Sequence, residues 1–388
     1  MLKTRKYKKK GHKKQTAKHN KKYNKRKINY IRNSYSPSVN RIIFSKNKKK
    51  LNSVNLRTLK KSLTNVYNKK CLNEESVMTS DNNCVHFKTE EGQKTLLKNL
   101  ERSMIVKNPK KIIAPKQYQS NCWFNTMFMV LFISDKGRKF FKYFRHLMIT
   151  GQKIKSKTHS INIPSNLHKT LFLLNRMIHN ALNGTLGNTD TNVIIRGIFN
   201  NIPASKHQLL VKTGEASNPI DFYFSLMNYL DDSKISINVL TLDNSVLRSM
   251  NLPTSTLIQK NFENKFANQQ YYRVPHIIIL EYYDESSRGK KDTPTYFSLQ
   301  HRGKKINYKL DSCIIRNTKR HHFCSTVTIN NKEYGFDGMS FHRLNSFRWK
   351  RIINKDQNWT FKGSTNDGKD SILWNFKNGY QLLFYYRI

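Results

Sequence analysis

The first group in the chain able to do covalent chemistry is a cysteine at the head of an apolar run. Cys122 follows a polar stretch, Pro115 to Asn121, and precedes Trp123, Phe124, Met127, Phe128, Val130, Leu131 and Ile133, with no breaker before Asp135 and Gly137. Apolar side chains fall on every face of a helix drawn through this run, so such a helix must be buried all round. Cys122 would then stand at the N-terminus of a central helix, where unpaired N–H groups and the helix dipole favour negative charge. That is a setting in which a thiol becomes a nucleophile. The same residues also suit a cysteine that is only a small buried hydrophobe.

A second group of reactive types lies near the C-terminal end. His321-His322 precede Phe323, Cys324, Ser325, Thr326, Val327, Thr328 and Ile329, and the alternation of Phe323, Ser325, Val327 and Ile329 with Cys324, Thr326 and Thr328 reads as a strand. Asn330-Asn331 is a turn signal, and Tyr334 to Phe336 reads as the partner strand of a hairpin. His322 at the start of one strand and Asp337 at the end of the next would share one end of that hairpin. A carboxylate there can hold an imidazole in one tautomer. A surface histidine and a turn aspartate are the commoner fates of the two residues. Cys313, His321 and Cys324 are metal-capable types in the same stretch, but their spacing fits no usual zinc pattern.

These residues need elements to hold them. Gly92 to Met104, Leu171 to Ile178 and Phe222 to Leu230 have helical patterning. The chain of 388 residues carries 71 Lys or Arg against 24 Asp or Glu, a formal charge of +47. The charge is concentrated: residues 1–73 hold 25 Lys or Arg and no acid. Such a segment repels itself and has little apolar surface to bury, so residues 1–73 are expected to be a disordered basic tail. It is suited to non-specific nucleic-acid binding through counterion release, and equally to being a solvated tail or a nuclear address. Residues 74–110 read as a transition and 111–388 as the folded domain. No apolar run approaches the roughly 18–20 residues of a membrane span, and the basic N-terminus lacks the apolar core of a secretory signal. Five scattered cysteines are too few for a disulfide scaffold, and their odd number reads as reduced thiols in an intracellular setting.

Taken together the two groups read Cys, His, Asp in chain order, and here the sequence resembles the ubiquitin-specific proteases, in particular their divergent forms in large DNA viruses. The resemblance covers about 112–388 and rests on six blocks in order. Gln117 to Asn125 around Cys122 is similar to the family's cysteine box, in which an amide five residues before the nucleophile serves the oxyanion. Gly214 to Leu230 resembles a helix with a Gln-Asp-x-x-Glu-Phe core, Asp221-Phe222 standing at Glu-Phe. Val274 to Tyr282 resembles a strand opening on Pro275. Tyr308-x-Leu310 with Cys313 to Ile315 resembles the strand before the histidine box. His322-Phe323 and Phe336-Asp337 resemble the His-Tyr and Phe-Asp pairs. Gly379 to Arg387 resembles the terminal strand.

The resemblance implies an α+β, papain-like cysteine protease fold, with a helical lobe carrying Cys122 and an antiparallel sheet lobe carrying His322 and Asp337. It implies a deubiquitinase in which Cys122 is the nucleophile, His322 the general base, Asp337 its orienting carboxylate and Gln117 the oxyanion donor, with Gln119 as a second donor. It implies ubiquitin or ubiquitin-like conjugates as partners; a monomer with no cofactor, no metal and no membrane is expected. The chain departs from the family at His321, where a Gly is usual, at Gln117, one methylene longer than the usual Asn, and at Gly338, where a second Asp is usual. Residues 151–300 also lack the paired cysteines of the family's zinc-bearing fingers. These departures bear on ubiquitin preference and efficiency more than on fold. Trp123 reads as core, and His321 as a loop neighbour of the base. Two other readings stay open: a basic nucleic-acid-associated virion protein on an inactive protease fold, and a viral protease acting on virion precursors.

Overall fold

A computed structural model describes residues 71–388 apart from 72, 155–159, 207–208, 244–252, 267–273, 283–291, 318, 320, 340–342 and 362–371. The expected basic tail therefore lies, up to residue 70, outside the described residues. A hairpin comes first: β1 (Ser76–Met78) pairs antiparallel with β2 (Cys84–His86), and a disulfide joins Cys71 to Cys84. This corrects the expectation of reduced thiols throughout. The hairpin brings the two Cα atoms to 5.6 Å, within bridging range, while Cys122, Cys313 and Cys324 are free. Helix α1 (Glu90–Ser103) follows because Thr89 caps it, accepting from the Gly92 N–H at 3.1 Å, with Glu90 and Glu91 in the first turn. Its buried Leu96 and Leu100 pack with Val77, Phe87, Ile149 and Phe172.

Every residue from Cys122 to Ile133 is buried, as the all-round apolar pattern requires. The run is not one straight helix: α2 (Cys122–Phe128) passes into a π-helical turn over Met129–Ile133. Ser134 restarts the chain by accepting from the Gly137 N–H at 3.2 Å, which opens α3 (Asp135–Phe140). There follow α4 (Lys142–Thr150), a small hairpin of β3 (Gln152–Ile154) and β4 (Ser160–Asn162), α5 (Ser165–Asn183), α6 (Asn192–Asn201) and α7 (Pro219–Asn238).

The second half supplies the main sheet. Its strands are β5 (Val239–Asp243), β6 (Ile277–Tyr282), β7 (Tyr296–His301), β8 (Lys304–Asn317), β9 (His322–Ile329), β10 (Lys332–Phe336), β11 (Asn345–Ser346) and β12 (Gln381–Arg387), with helix α8 (Thr254–Phe266) between β5 and β6. They run in the order β11-β10-β9-β8-β12-β6-β5, with β7 also paired to β8. All pairings are antiparallel except β5 with β6. The β9–β10 turn falls at Asn330 and Asn331, at φ 51° and 58°, a left-handed pair that asparagine adopts more readily than most residues.

The whole of β9 is buried, its Ser and Thr positions included. Phe323, Val327 and Ile329 face the core shared with α2, α5 and α7, while Cys324 lies in a second core with Trp349, Trp374 and Phe376. Trp349, Ile353, Trp359, Phe361, Trp374 and Phe376, together with Leu257, Ile258 and Phe262 of α8, pack in the second core and cover what a two-layer protein would leave wet. The result is a mixed helix and antiparallel-sheet architecture. Helices carry Cys122 on one side, and the sheet carries His322 and Asp337 on the other.

Candidate active site

The loop before Cys122 is held from several directions. Asn121 is the residue before α2, yet its side chain does not cap the helix. Its Oδ1 accepts from the Tyr118 N–H at 3.0 Å, and its Nδ2 donates to Thr191 Oγ1 at 2.9 Å. Thr191 in turn donates to Asn125 Oδ1 at 2.7 Å, and Asn125 Nδ2 donates to the Lys116 carbonyl at 3.2 Å. Asn192 Nδ2 donates to the Tyr118 carbonyl at 2.9 Å and to Asp190 Oδ1 at 2.8 Å. Burial pushes the Asp190 carboxyl up, against the pull of its bonds from Asn192. Asn121, Asn125, Thr191 and Asp190 are buried and joined through these bonds to the backbone of Lys116 and Tyr118, so the network holds the loop in one conformation. Sequence reasoning missed Asp190, Thr191 and Asn192. Their signal was an Asp-Thr-Asn run before the apolar residues of α6, a helix-start pattern with nothing local to link it to Cys122.

The sheet side meets the same loop. Gln117 N–H donates to the Gly338 carbonyl at 3.0 Å, which ties the turn after β10 to the segment before the nucleophile. Asp337 lies at the start of that turn, and its Oδ1 accepts from the Met339 N–H at 2.9 Å. His322 opens β9 opposite Asn317 of β8. Its Nε2 donates to Asp337 Oδ1 at 2.6 Å. The pair is shut away from water, His322 being 2% exposed and Asp337 0%. Trp374 covers the ring, with centroids 5.7 Å apart.

Burial favours the neutral ring, but Asp337, and after it the Cys122 thiol, outweigh that and raise the His322 pKa from 6.5 to about 10. His322 Nδ1 is buried and accepts or donates no hydrogen bond among the described residues. The Cys122 thiol is nevertheless close enough to shift the ring's proton affinity. Cys122, His322 and Asp337 are thus brought together from positions up to 215 residues apart in the chain. Nε2 is committed to the carboxylate and Nδ1 is left for the sulfur.

The remaining expected residues fall as follows. Gln117 is half-buried beside the loop; its Nε2 donates to the Gln119 carbonyl at 3.1 Å and its Oε1 is buried without a partner. Gln119 is exposed at φ 54°. His321, also left-handed at φ 50°, accepts on Nδ1 from Arg316 Nη2 at 2.8 Å, which occupies the lone pair a base would need. Trp123 is core: it is 1% exposed, stacks edge-on to Phe222 and donates to the Glu215 carbonyl at 3.1 Å. Asp221 lies beside Glu281, which accepts from Tyr380 Oη at 2.7 Å. Burial first, then Glu281, raises the Asp221 pKa to about 8. Cys324 is wholly buried, which pushes its thiol far up and leaves it inert. Among the described residues no group of three His, Cys, Asp or Glu could hold a metal ion, and no helix is long and apolar enough to cross a membrane.

No family model matches the chain, and no curated protein matches it in sequence. Solved structures resemble it in part. The SAGA DUB module Ubp8/Sgf11/Sus1/Sgf73 bound to monoubiquitin aligns over 79% of this chain and 77% of the other, at 9% identity and a TM-score of 0.43. The module bound to ubiquitin aldehyde aligns over 72% and 70%, at 11% identity and a TM-score of 0.40. An essential yeast splicing factor aligns over 81% and 73%, at 8% identity and a TM-score of 0.38. Likeness of this degree reaches a DUB module and a splicing factor alike, so it does not choose between activities; the side-chain geometry has to.

Proposed function

We propose that this chain is a thiol-dependent isopeptidase on a papain-like arrangement of lobes, cleaving after the C-terminal glycine of ubiquitin or a ubiquitin-like modifier. The observation that carries the proposal is the buried His322–Asp337 contact of 2.6 Å with Nδ1 left to Cys122 at the head of a buried helix. A chance surface histidine would have neither the carboxylate nor the sulfur. The choice of a ubiquitin-type substrate rests on the six sequence blocks.

In this mechanism Nδ1 of His322 takes the Cys122 proton, and the sulfur lone pair forms a bond to the carbonyl carbon of the substrate's last glycine. The carbonyl π electrons move to oxygen. The N–H groups of the first turn of α2, which have no intrahelical acceptor, and the second Nε2 proton of Gln117 are the donors for that oxyanion. Collapse breaks the C–N bond as His322 returns the proton to the lysine amine. Water then attacks the thioester, giving its proton to His322, and the thiol is restored. Asp337 keeps the ring in one tautomer and stabilises the imidazolium.

The test is labelling with a ubiquitin probe bearing a C-terminal electrophile. Native protein should form one covalent adduct and Cys122→Ala none. An unlabelled native protein, or an adduct that survives the substitution, overturns the proposal.

A further inference from the structure

A cavity of about 290 Å³ lies between β1, α1, α4 and α5 and shares no lining residue with the Cys122 site. Its polar lining includes Arg145, Asn175, Arg176, His179 and Asn180, and none of its lining residues is Asp or Glu. Arg145 is 1% exposed, yet its bonds go to neutral groups alone: Nε donates to Asn175 Oδ1 at 2.9 Å and Nη1 to Ser103 Oγ at 2.8 Å. Among the described residues it has no carboxylate partner. Burial, and then Arg138, lower its pKa to about 9.

Two more donors in the same wall are unused. Asn183 Nδ2 donates to His179 Nε2 at 3.0 Å, which leaves the ring proton on Nδ1, and that atom is buried without a partner. Asn180 is 5% exposed, and its Nδ2 also has no partner. Burial, then Arg145 and Arg176, lower the His179 pKa to about 4, so the ring does not add a charge of its own in the empty site. A larger opening of about 850 Å³ shares Asn99, His179 and Asn183 with the cavity and adds Arg102, Lys107 and Lys111, again with no acid.

We propose that this cavity binds a small phosphate-bearing molecule. Neutral donors can be served by water, but a buried guanidinium without a counter-ion is a standing cost that only an anion removes. Arg145, His179 and Asn180 bring separate donors to one space, which suits the several oxygens of a phosphate better than a single halide. The volume sits at the lower end of small-ligand pockets, about 300–1,000 Å³, which suits inorganic phosphate or a mononucleotide and not a polymer. Arg176 donates to the Glu74 carbonyl, so the disulfide-tied hairpin forms one wall and is expected to tighten when the site fills.

The test is calorimetric titration of the full chain in chloride buffer with inorganic phosphate, pyrophosphate and AMP. Arg145→Met and Asn180→Leu variants are compared, with circular dichroism checking their fold. A saturable 1:1 event is expected in the native protein and a loss of at least tenfold in affinity in each variant. Basic residues elsewhere would bind all three proteins alike. Without ligand, Arg145→Met should melt no lower than native protein, because an uncompensated cation has gone; with ligand, only native protein should gain thermal stability. AMP binding at least tenfold tighter than phosphate assigns a nucleotide, and equal or weaker AMP binding assigns free phosphate. Absence of a saturable event with all three anions, or equal affinity in native protein and both variants, overturns the proposal. If Arg145→Met fails to fold, Asn180→Leu alone decides.

Discussion

At the residue scale the proposed mechanism turns on which of two adjacent histidines would be the base. Adjacent positions point to opposite sides of a strand, so a shift of one would have exchanged their roles. The geometry supports His322 in that role: His321 is in a left-handed turn and bonded to Arg316, while His322 enters β9 and reaches Asp337. The Asp337 contact makes a specific prediction. His322 is raised to about 10, so it contributes stability fully present below its ordinary 6.5 and lost as pH rises through about 10. Asp337→Asn should flatten that decline in melting temperature between pH 7 and 10. It should also cut turnover of a ubiquitin substrate by about 10⁴, the scale seen when a triad carboxylate is replaced by its amide. An unchanged pH profile would detach Asp337 from the ring's titration. Gln117 was legible as an amide near the thiol, but its bond to the Gln119 carbonyl was not, since nothing local fixes which way a long side chain turns.

At the element scale, two features of the helical side carry strain or cost that the pattern of apolar residues does not reveal. The run after Cys122 ends in a π-helical turn, and Gly137 packs under it: a Cβ there would lie 2.1 Å from the Val130 carbonyl oxygen and 2.9 Å from that of Leu131. Both neighbours are backbone and cannot yield. Gly137→Ala should cost at least about 3 kcal/mol, the upper end for overpacking, read as a lowered denaturation midpoint, whereas Gly303→Ala, with nothing within 4 Å but φ 72°, should cost far less. The second feature is Asp221 in the first turn of α7. A carboxylate there gains about 0.3–1 kcal/mol from the helix dipole, but burial and Glu281 outweigh it and raise its pKa to about 8. A carboxyl so raised contributes stability below its ordinary 3.8 and loses it as pH rises through about 8. Asp221→Asn should therefore gain in melting temperature over native protein as pH goes from 4 to 8; a constant difference would refute the coupling.

At the scale of the whole molecule the charge and the chemistry are separate. Of the +47, +25 belongs to residues 1–73, and the chemistry lies beyond residue 115. The proposed cleavage does not call for a basic tail, so the N-terminal charge is better matched to polyphosphate. Full-length protein should bind a DNA duplex with affinity falling linearly in log salt, with a slope of about −0.9 per phosphate contacted. A chain lacking residues 1–70 should lose most of that binding and still accept the ubiquitin probe. Equal DNA binding by the two chains would place the nucleic-acid contact in the folded part and favour the reading of a nucleic-acid-associated protein.

The sequence by itself determined the local elements and the order of the chemistry. The buried helix after Cys122, the β9–β10 hairpin with its asparagine turn and the helices around Leu171 and Phe222 all follow from periodicity and turn chemistry, which act over a few residues. Only the tertiary structure decided the rest. It brought Asp190, Thr191 and Asn192 under the loop before Cys122, laid Trp374 over His322, paired Cys71 with Cys84, covered the second face of β9 and left Arg145 buried with no counter-ion among the described residues. Each of these joins residues from separate elements. Their partners are set by how whole elements pack, and no short-range pattern in the chain encodes that.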